Sequence, residues 1–381
     1  MRLFASILIV IGIGVAGLFL WIIALLGKDQ QFYGVYIPIL SLGLIVIIIL
    51  AIYDKWKEKG TKLFSISFLV IAIITMGSYE GYQYYLKSLE IVSTQDVDLS
   101  EYQPFQEDTR AIRLEEESTL QLTDDLPQLD GATALYPVYA GFAQAVYPEK
   151  TYNLDESEVI SSQTSNAFKN VIHSDADIAF MAEPSEKQYE YADSINVDIE
   201  LTPIGKEAFV FFVNKNNPVD SLTIEQIQAI YSGEVTNWQE VGGNNEEIRA
   251  FQRPEGSGSQ SALIRFMENR ELMEPPADEI VSGMGGIIRE TSNYQNHKNA
   301  IGFSFRFFSQ EMVENGEIKH IAINEVEPSK ENIQNEKYPV IAEFYAVTRR
   351  TKSENVEKLI DWIQTELGQE IVDRTGYVPL E

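Results

Sequence analysis

An α/β domain carried behind three membrane-spanning helices is the architecture this sequence predicts. Two observations predict it. Three long apolar runs fill the first eighty residues, and strand-like and helix-like segments alternate from about residue 127 onward.

The first run, "LFASILIVIGIGVAGLFLWIIALL" at 3–26, is uninterrupted. Crossing the hydrocarbon core takes roughly 20 residues, about twice the core of a cleavable signal peptide. Two further runs follow at 35–53 and 63–79, the last leading into Tyr79, Tyr82, Tyr84 and Tyr85. Tyrosines at that level read as an interfacial belt. Residues 1–85 are therefore expected to form a membrane anchor. Lys55, Lys57, Lys59 and Lys62 crowd the second connection, while the first holds Lys28 against Asp29. The positive-inside rule puts the lysine loop and the N-terminus in the cytoplasm and everything after Tyr79 outside.

The anchor holds six basic and three acidic side chains through residue 79, leaving 23 basic and 54 acidic in the remainder, a net of −31. Such a surface repels nucleic acid and anionic lipid headgroups. Cysteine is absent, and the three histidines, His173, His297 and His320, form no metal-ligand spacing. Neither a metal nor another cofactor is expected. Residues 86–126, polar and acidic, read as a linker or stalk.

Beyond it the elements follow in order. "DIAFMA" (177–182), "FVFFVN" (209–214), "IRAFQR" (248–253), "AIGFSF" (300–305) and "IAEFYAV" (341–347) have strand character. "ALYPVYAGFAQAVY" (134–147), "SNAFKNVI" (165–172), "TIEQIQAIYSG" (223–233), "QSALIRFMEN" (260–269) and "ENVEKLIDWIQTELG" (354–368) have helical spacing. Tyr231 and Trp238 suit core packing, His173 suits a helix end, and the strand "FSFRFF" (303–308) is expected to turn Arg306 outward.

Three helix starts share one chemistry. "DGATALYP" (130–137), "SSQTSNAF" (161–168) and "RPEGSGSQS" (253–261) each offer hydroxyls and unpaired backbone N–H groups at the positive end of a helix. A Ser or Thr there is most often a plain N-cap, yet such ends also bind anions. The third is the most telling. Gly256 and Gly258 allow close backbone approach, and Arg253 offers a two-pronged fork to an oxyanion. Glu255 fits beside an anion if it orients the arginine or accepts a proton from the ligand. Converging helix ends with one arginine would hold an anion locally, because the acidic surface is screened within roughly 8–10 Å at physiological salt. "EGSGSQ" lacks the spacing of a nucleophile elbow and of a phosphate-binding P-loop, so an enzyme is not expected.

"DGATALYPVYAGFAQAVYP", "LTIEQIQAIYSGEVTNW" and "FQRPEGSGSQSALIRFM" resemble, in order, the opening helix, the Tyr-Trp segment and the arginine-glycine-serine ligand loop of the phosphate-binding proteins of ABC importers. The resemblance covers about 127–381 and implies a type II periplasmic-binding-protein fold. In that fold lobe one would hold 127–209 and 338–381, lobe two 210–337, and ligand would sit in the cleft between them. Carried over position by position, the implied ligand-binding residues are Thr133, Ala134, Thr164, Ser165 (with Asn166 as a neighbouring register), Arg253, Glu255, Ser257, Gly258 and Ser259. Two departures stand out. Ala182 occupies the position where the family has a ligand-binding aspartate, with Glu183 next to it as a substitute if the strand end shifts. Three spans replace the family's usual secretion or single lipid anchor. The implied function is an anchored extracytoplasmic receptor for phosphate or a similar oxyanion, working with an ABC permease or a signalling partner. The alternative is a binding fold reused as a signalling or protein-interaction module with a retuned pocket.

Overall fold

The structure, a computed structural model, describes residues 2–25, 30–88, 97–253, 256–274, 297–312 and 317–380. The chain divides into two compact units, essentially residues 1–88 and the remainder. In the first, α1 (Arg2–Leu25), α2 (Gln30–Ile52) and α3 (Lys59–Ser88) are each long and apolar enough to cross a membrane. Large apolar side chains such as Leu3, Phe4, Val15 and Phe19 stand exposed on α1, the surface expected of a helix solvated by lipid. Specific bonds join the helices: Trp21 Nε1 donates to the Gly34 carbonyl at 2.7 Å, the Tyr36 hydroxyl to the Ala72 carbonyl at 3.0 Å, and the Tyr33 hydroxyl to Glu80. The lysine-rich connection tightens into a 3-10 turn at Lys55–Lys57. Helix α3 outruns the expected span, continuing through the tyrosine belt to Ser88.

The second unit runs β1 (Leu129–Gly131), α4 (Tyr136–Val146), α5 (Thr164–His173), β2 (Ile178–Ala182), α6 (Glu186–Ser194) and the long β3 (Ile199–Asn214). Then come β4 (Ser221–Leu222), α7 (Ile224–Tyr231), β5 (Arg249–Ala250), α8 (Gly258–Met267), β6 (Ala300–Phe305), β7 (Ile318–His320) and β8 (Ala322–Ile323). It closes with α9 (Lys330–Gln334), β9 (Ile341–Arg349), α10 (Glu354–Ile363) and α11 (Glu366–Thr375). The main sheet has the order β1-β2-β9-β3-β6-β5, with β7 also on β3, and β4 pairs with β8 separately.

Strand β3 organises the unit. Its first part, Ile199–Ala208, pairs antiparallel with β9, and its second, Phe209–Val213, with β6. The two larger apolar cores form on either side of that change, and a third, smaller cluster gathers Phe168, Val171, Met181 and Val347. The first gathers Tyr139, Phe142, Phe180, Trp362 and Ile371. The second gathers Phe211, Ile227, Tyr231, Trp238, Leu263 and Phe303. The near-continuous apolar run of β3 follows, since each of its faces is covered. The two-lobe α/β fold is the one expected from the sequence.

Three expectations are corrected. The segment 86–126 is no free stalk over its described part, 97–126. Tyr102, Ala111 and Leu122 are buried in the first core, and the Leu122 N–H donates to the Val146 carbonyl at 2.9 Å. Widely spaced apolar residues in an acidic stretch were enough to dock it on α4. The helix expected at 354–368 is two helices. Thr365 ends one, its hydroxyl donating to the Trp362 carbonyl at 2.7 Å, and caps the next. A β-carbon at Gly368 would collide with the Ile363 carbonyl, so the tight corner needs glycine. Arg306 does not face outward. It is 6% exposed and ion-paired with Glu207, because β6 ends at Phe305 and the chain coils inward.

Candidate functional site

A cavity of about 100 Å³ lies where the three hydroxyl-bearing helix starts meet. Thr133, Ala134, Thr164, Ser165, Arg253, Ser257, Gly258 and Ser259 all line it, together with Ala182. Glu255 lies outside the described residues, as does "SGMGGIIRE" (282–290), a segment whose glycines would permit close approach to the cleft. Asn166 is exposed and does not line the cavity.

Each start is positioned by its own local cause. Ala132 donates its N–H to the Phe180 carbonyl at 2.9 Å, tying the entry of α4 to β2. Thr133–Leu135 then form a 3-10 turn with no side-chain cap, so the leading N–H groups of this start are left to the cleft. The Tyr377 hydroxyl fixes this turn by donating to the Ala134 carbonyl at 2.5 Å.

The entry to α5 is anchored by Asp130, which is fully buried on β1. Its carboxylate accepts from the Ser162 N–H at 2.8 Å, the Ser162 hydroxyl at 2.5 Å and Asn170 Nδ2 at 2.8 Å. Gln163, which caps α5 without a side-chain bond, has φ 72° and ψ 161°. That conformation is close to glycine territory, and Thr164 and Ser165, which follow it, line the cavity.

Ser257 caps α8 by accepting from the Gln260 N–H at 3.2 Å, which leaves its own O–H free to donate. Gln260 also braces the arginine, its Oε1 accepting from the Arg253 N–H at 2.8 Å while its Nε2 donates to Gln252. Among the described residues the buried Arg253 Nε has no hydrogen-bond partner. A guanidinium N–H on the cavity wall offers a charged donor to an acceptor-bearing guest.

The lobes touch across the cleft. The Ser165 hydroxyl donates to the Gly256 carbonyl at 2.7 Å. Gly256 sits at φ 90°, and a β-carbon there would lie 2.8 Å from Ser165 Oγ, so glycine is required twice over. A β-carbon at Gly258 would lie 3.4 Å from Thr164 Oγ1 and 3.9 Å from Ala182 Cβ, which measures how closely the second and third starts approach. Glu183, the candidate substitute acceptor, points elsewhere: its Oε2 is 3.5 Å from Arg265 Nε on α8, an ion pair between the lobes.

Glu207 also lines the cavity and escaped the sequence reading, since a single glutamate inside a strand run carries no motif. It is 2% exposed, accepts from the Ala208 N–H at 2.9 Å and the Phe307 N–H at 3.0 Å, and lies 3.5 Å from Arg306 Nε. Burial pushes its carboxyl up to about 7, against the pull of Arg306 and the two amides. His320 is pushed the other way, down to about 4, by burial and then by Arg306. The remaining aromatic expectations hold: Tyr231 and Trp238 are core residues, and His173 ends α5, hydrogen-bonded with Tyr191.

A family model described as a PBP superfamily domain matches residues 121–366. The phosphate-binding protein PstS of Borreliella burgdorferi is 26% identical over 195 residues, 50% of this chain and 69% of that protein. The protein of the same name from Bacillus subtilis is 24% identical over 187 residues, covering 48% of this chain and 58% of its own. Among solved structures, an ABC-type phosphate transport receptor from Vibrio cholerae aligns at 17% identity with a TM-score of 0.47, over 68% of this chain and 100% of that one.

Proposed function

The chain belongs to the PBP superfamily, and from that membership and the cleft chemistry we propose a membrane-anchored extracytoplasmic receptor for phosphate or a close oxyanion. The observation that carries the reading is the convergence of three helix starts and Arg253, whose buried Nε has no partner among the described residues, on one small cavity. Helix N-termini favour negative charge, and a cavity lined by hydroxyls and amides selects a compact acceptor-rich guest. PstS relatives carry phosphate in their name.

In this reading Arg253 neutralises the guest with paired N–H bonds, Thr133, Thr164, Ser257 and Ser259 donate hydroxyls, and the amides at Ala134 and Gly258 complete the shell. Ser165 serves closure, since its hydroxyl bridges the lobes. Closing is a hinge motion about β3 that the guest stabilises by touching both sides at once. The lysine-rich turn faces the cytoplasm and the lobes face outward. The domain binds rather than turns over its guest, and a phosphatase assay on the purified chain checks this.

The test is calorimetry on the full chain in detergent. Phosphate binds, and Arg253→Ala weakens binding by about 30-fold or more, the effect of removing one partner of a buried charged hydrogen bond, ~2–5 kcal/mol. No binding of phosphate, sulfate or arsenate by the wild-type chain overturns the reading. Ala182, which brings no acceptor to the cavity wall, favours a second reading in which the pocket is retuned for signalling. A folded chain that binds none of these anions supports it.

A further inference from the structure

Glu207 is the cleft's buried charge that anion binding leaves without a task. It stands on β3 at the change from β9 to β6, where the lobes meet, and borders the same cavity as Arg253. Its counter-charge is Arg306, and that guanidinium is already committed. Arg306 Nη2 donates to the Gly376 carbonyl at 2.5 Å and Nη1 to Gln310 at 3.3 Å, while its buried Nε faces Glu207 without hydrogen-bond geometry. The pair therefore ties three segments together yet compensates Glu207 incompletely.

We propose that Glu207 takes up a proton when an anion is captured at the helix starts, so that the loaded cleft holds this carboxyl neutral. The inference rests on the oxyanion reading above. The sign follows from electrostatics. A bound anion brings negative charge into the cavity that Glu207 borders and offsets the positive Arg253 on the same wall, and both changes favour the protonated carboxyl. Burial removes the water that would otherwise screen the effect. Burial already pushes the free carboxyl up to about 7, so a modest further push near neutral pH is enough to load it.

The described titratable groups around Glu207 are otherwise engaged. Tyr338 and Tyr377 stay neutral, raised by burial, with hydroxyls donated to the Phe209 and Ala134 carbonyls. His320, beyond Arg306, is held neutral by its low value. Glu343 lines the cavity from β9 but is exposed and accepts from the Tyr345 hydroxyl at 2.8 Å. Lys206 turns away to Glu336 at 2.8 Å. The proton comes from solvent, and no covalent bond of the guest changes.

Infrared difference spectroscopy on the full chain in detergent at pH 8, phosphate-bound minus free, tests this. A protonated-carboxyl C=O band should appear, shift on 13C-glutamate labelling, and vanish in Glu207→Gln. If that variant fails to fold, Glu207→Asp keeps a carboxyl and should move the band instead. Calorimetric phosphate binding with no such band, or a band unchanged by both substitutions, overturns the proposal while leaving the oxyanion reading intact. No phosphate binding by the wild-type chain overturns both.

Discussion

Gln163 shows how a single residue carries strain into the cleft. With φ 72° and ψ 161° it occupies a region that costs a non-glycine residue about 1–3 kcal/mol. Glycine would adopt the same backbone at a smaller cost, offset in part by roughly 0.5–1 kcal/mol of added chain entropy. Gln163→Gly should therefore raise stability by up to about 2 kcal/mol, read as a higher thermal midpoint of the detergent-solubilised chain. A lower midpoint would show that the Gln163 side chain contributes more than its backbone costs. Nothing in "SSQTSNAF" announced this conformation, and Asp130, which holds the neighbouring Ser162, lies 32 residues upstream of that serine. Arg253 was legible for the opposite reason: its loop, its glycines and its helix are contiguous in the chain. Glu207 was not, since its significance depends on Arg306 and Phe307, about one hundred residues away.

Helix α8 does two jobs at its start. Ser257 caps it and presents a hydroxyl to the cavity, and the two roles separate by substitution. Ser257→Ala should lose both, costing about 1 kcal/mol of stability and weakening phosphate binding. Ser257→Asn keeps a capping acceptor, so it should restore the thermal midpoint without restoring affinity. Equal affinity in the wild type and the Asn variant would remove the Ser257 hydroxyl from the binding shell. Most elements were visible in the sequence from periodicity, including β6 at Ala300–Phe305. Helix α6 and the first part of β3, Ile199–Ala208, drew no expectation, and two further misses lie at breaks. The corner between α10 and α11 depends on Thr365 and Gly368 packing against Ile363, and the docked segment 97–126 depends on the α4 surface. Period-based reading senses neither.

For the whole molecule, charge and topology make separate predictions. The domain's net charge of −31 should slow the approach of an anion. Added salt screens that repulsion, so the phosphate association rate should rise from 10 to 150 mM of a non-binding salt, as the Debye length falls from about 30 to about 8 Å. A falling rate would mean that the local field at the cleft, and not the global charge, governs encounter. Topology is tested by the absence of cysteine. A single cysteine at exposed Glu190 should react with an impermeant thiol reagent on intact cells, and one at Lys57 should not. The reverse pattern would invert the anchor.

By itself the sequence determined the apolar spans, the α/β alternation, the chemistry of three helix starts and the arginine among them. Each depends on residues adjacent in the chain, where period, capping and composition act. Tertiary structure alone decided that those starts share a cavity, that Ser165 bridges the lobes and that Glu183 leaves the cleft for Arg265. It alone decided that Glu207 and Arg306 are buried together at the crossing strand. Such contacts join residues far apart in sequence, and their energies exist only once two sheets and their helices have packed.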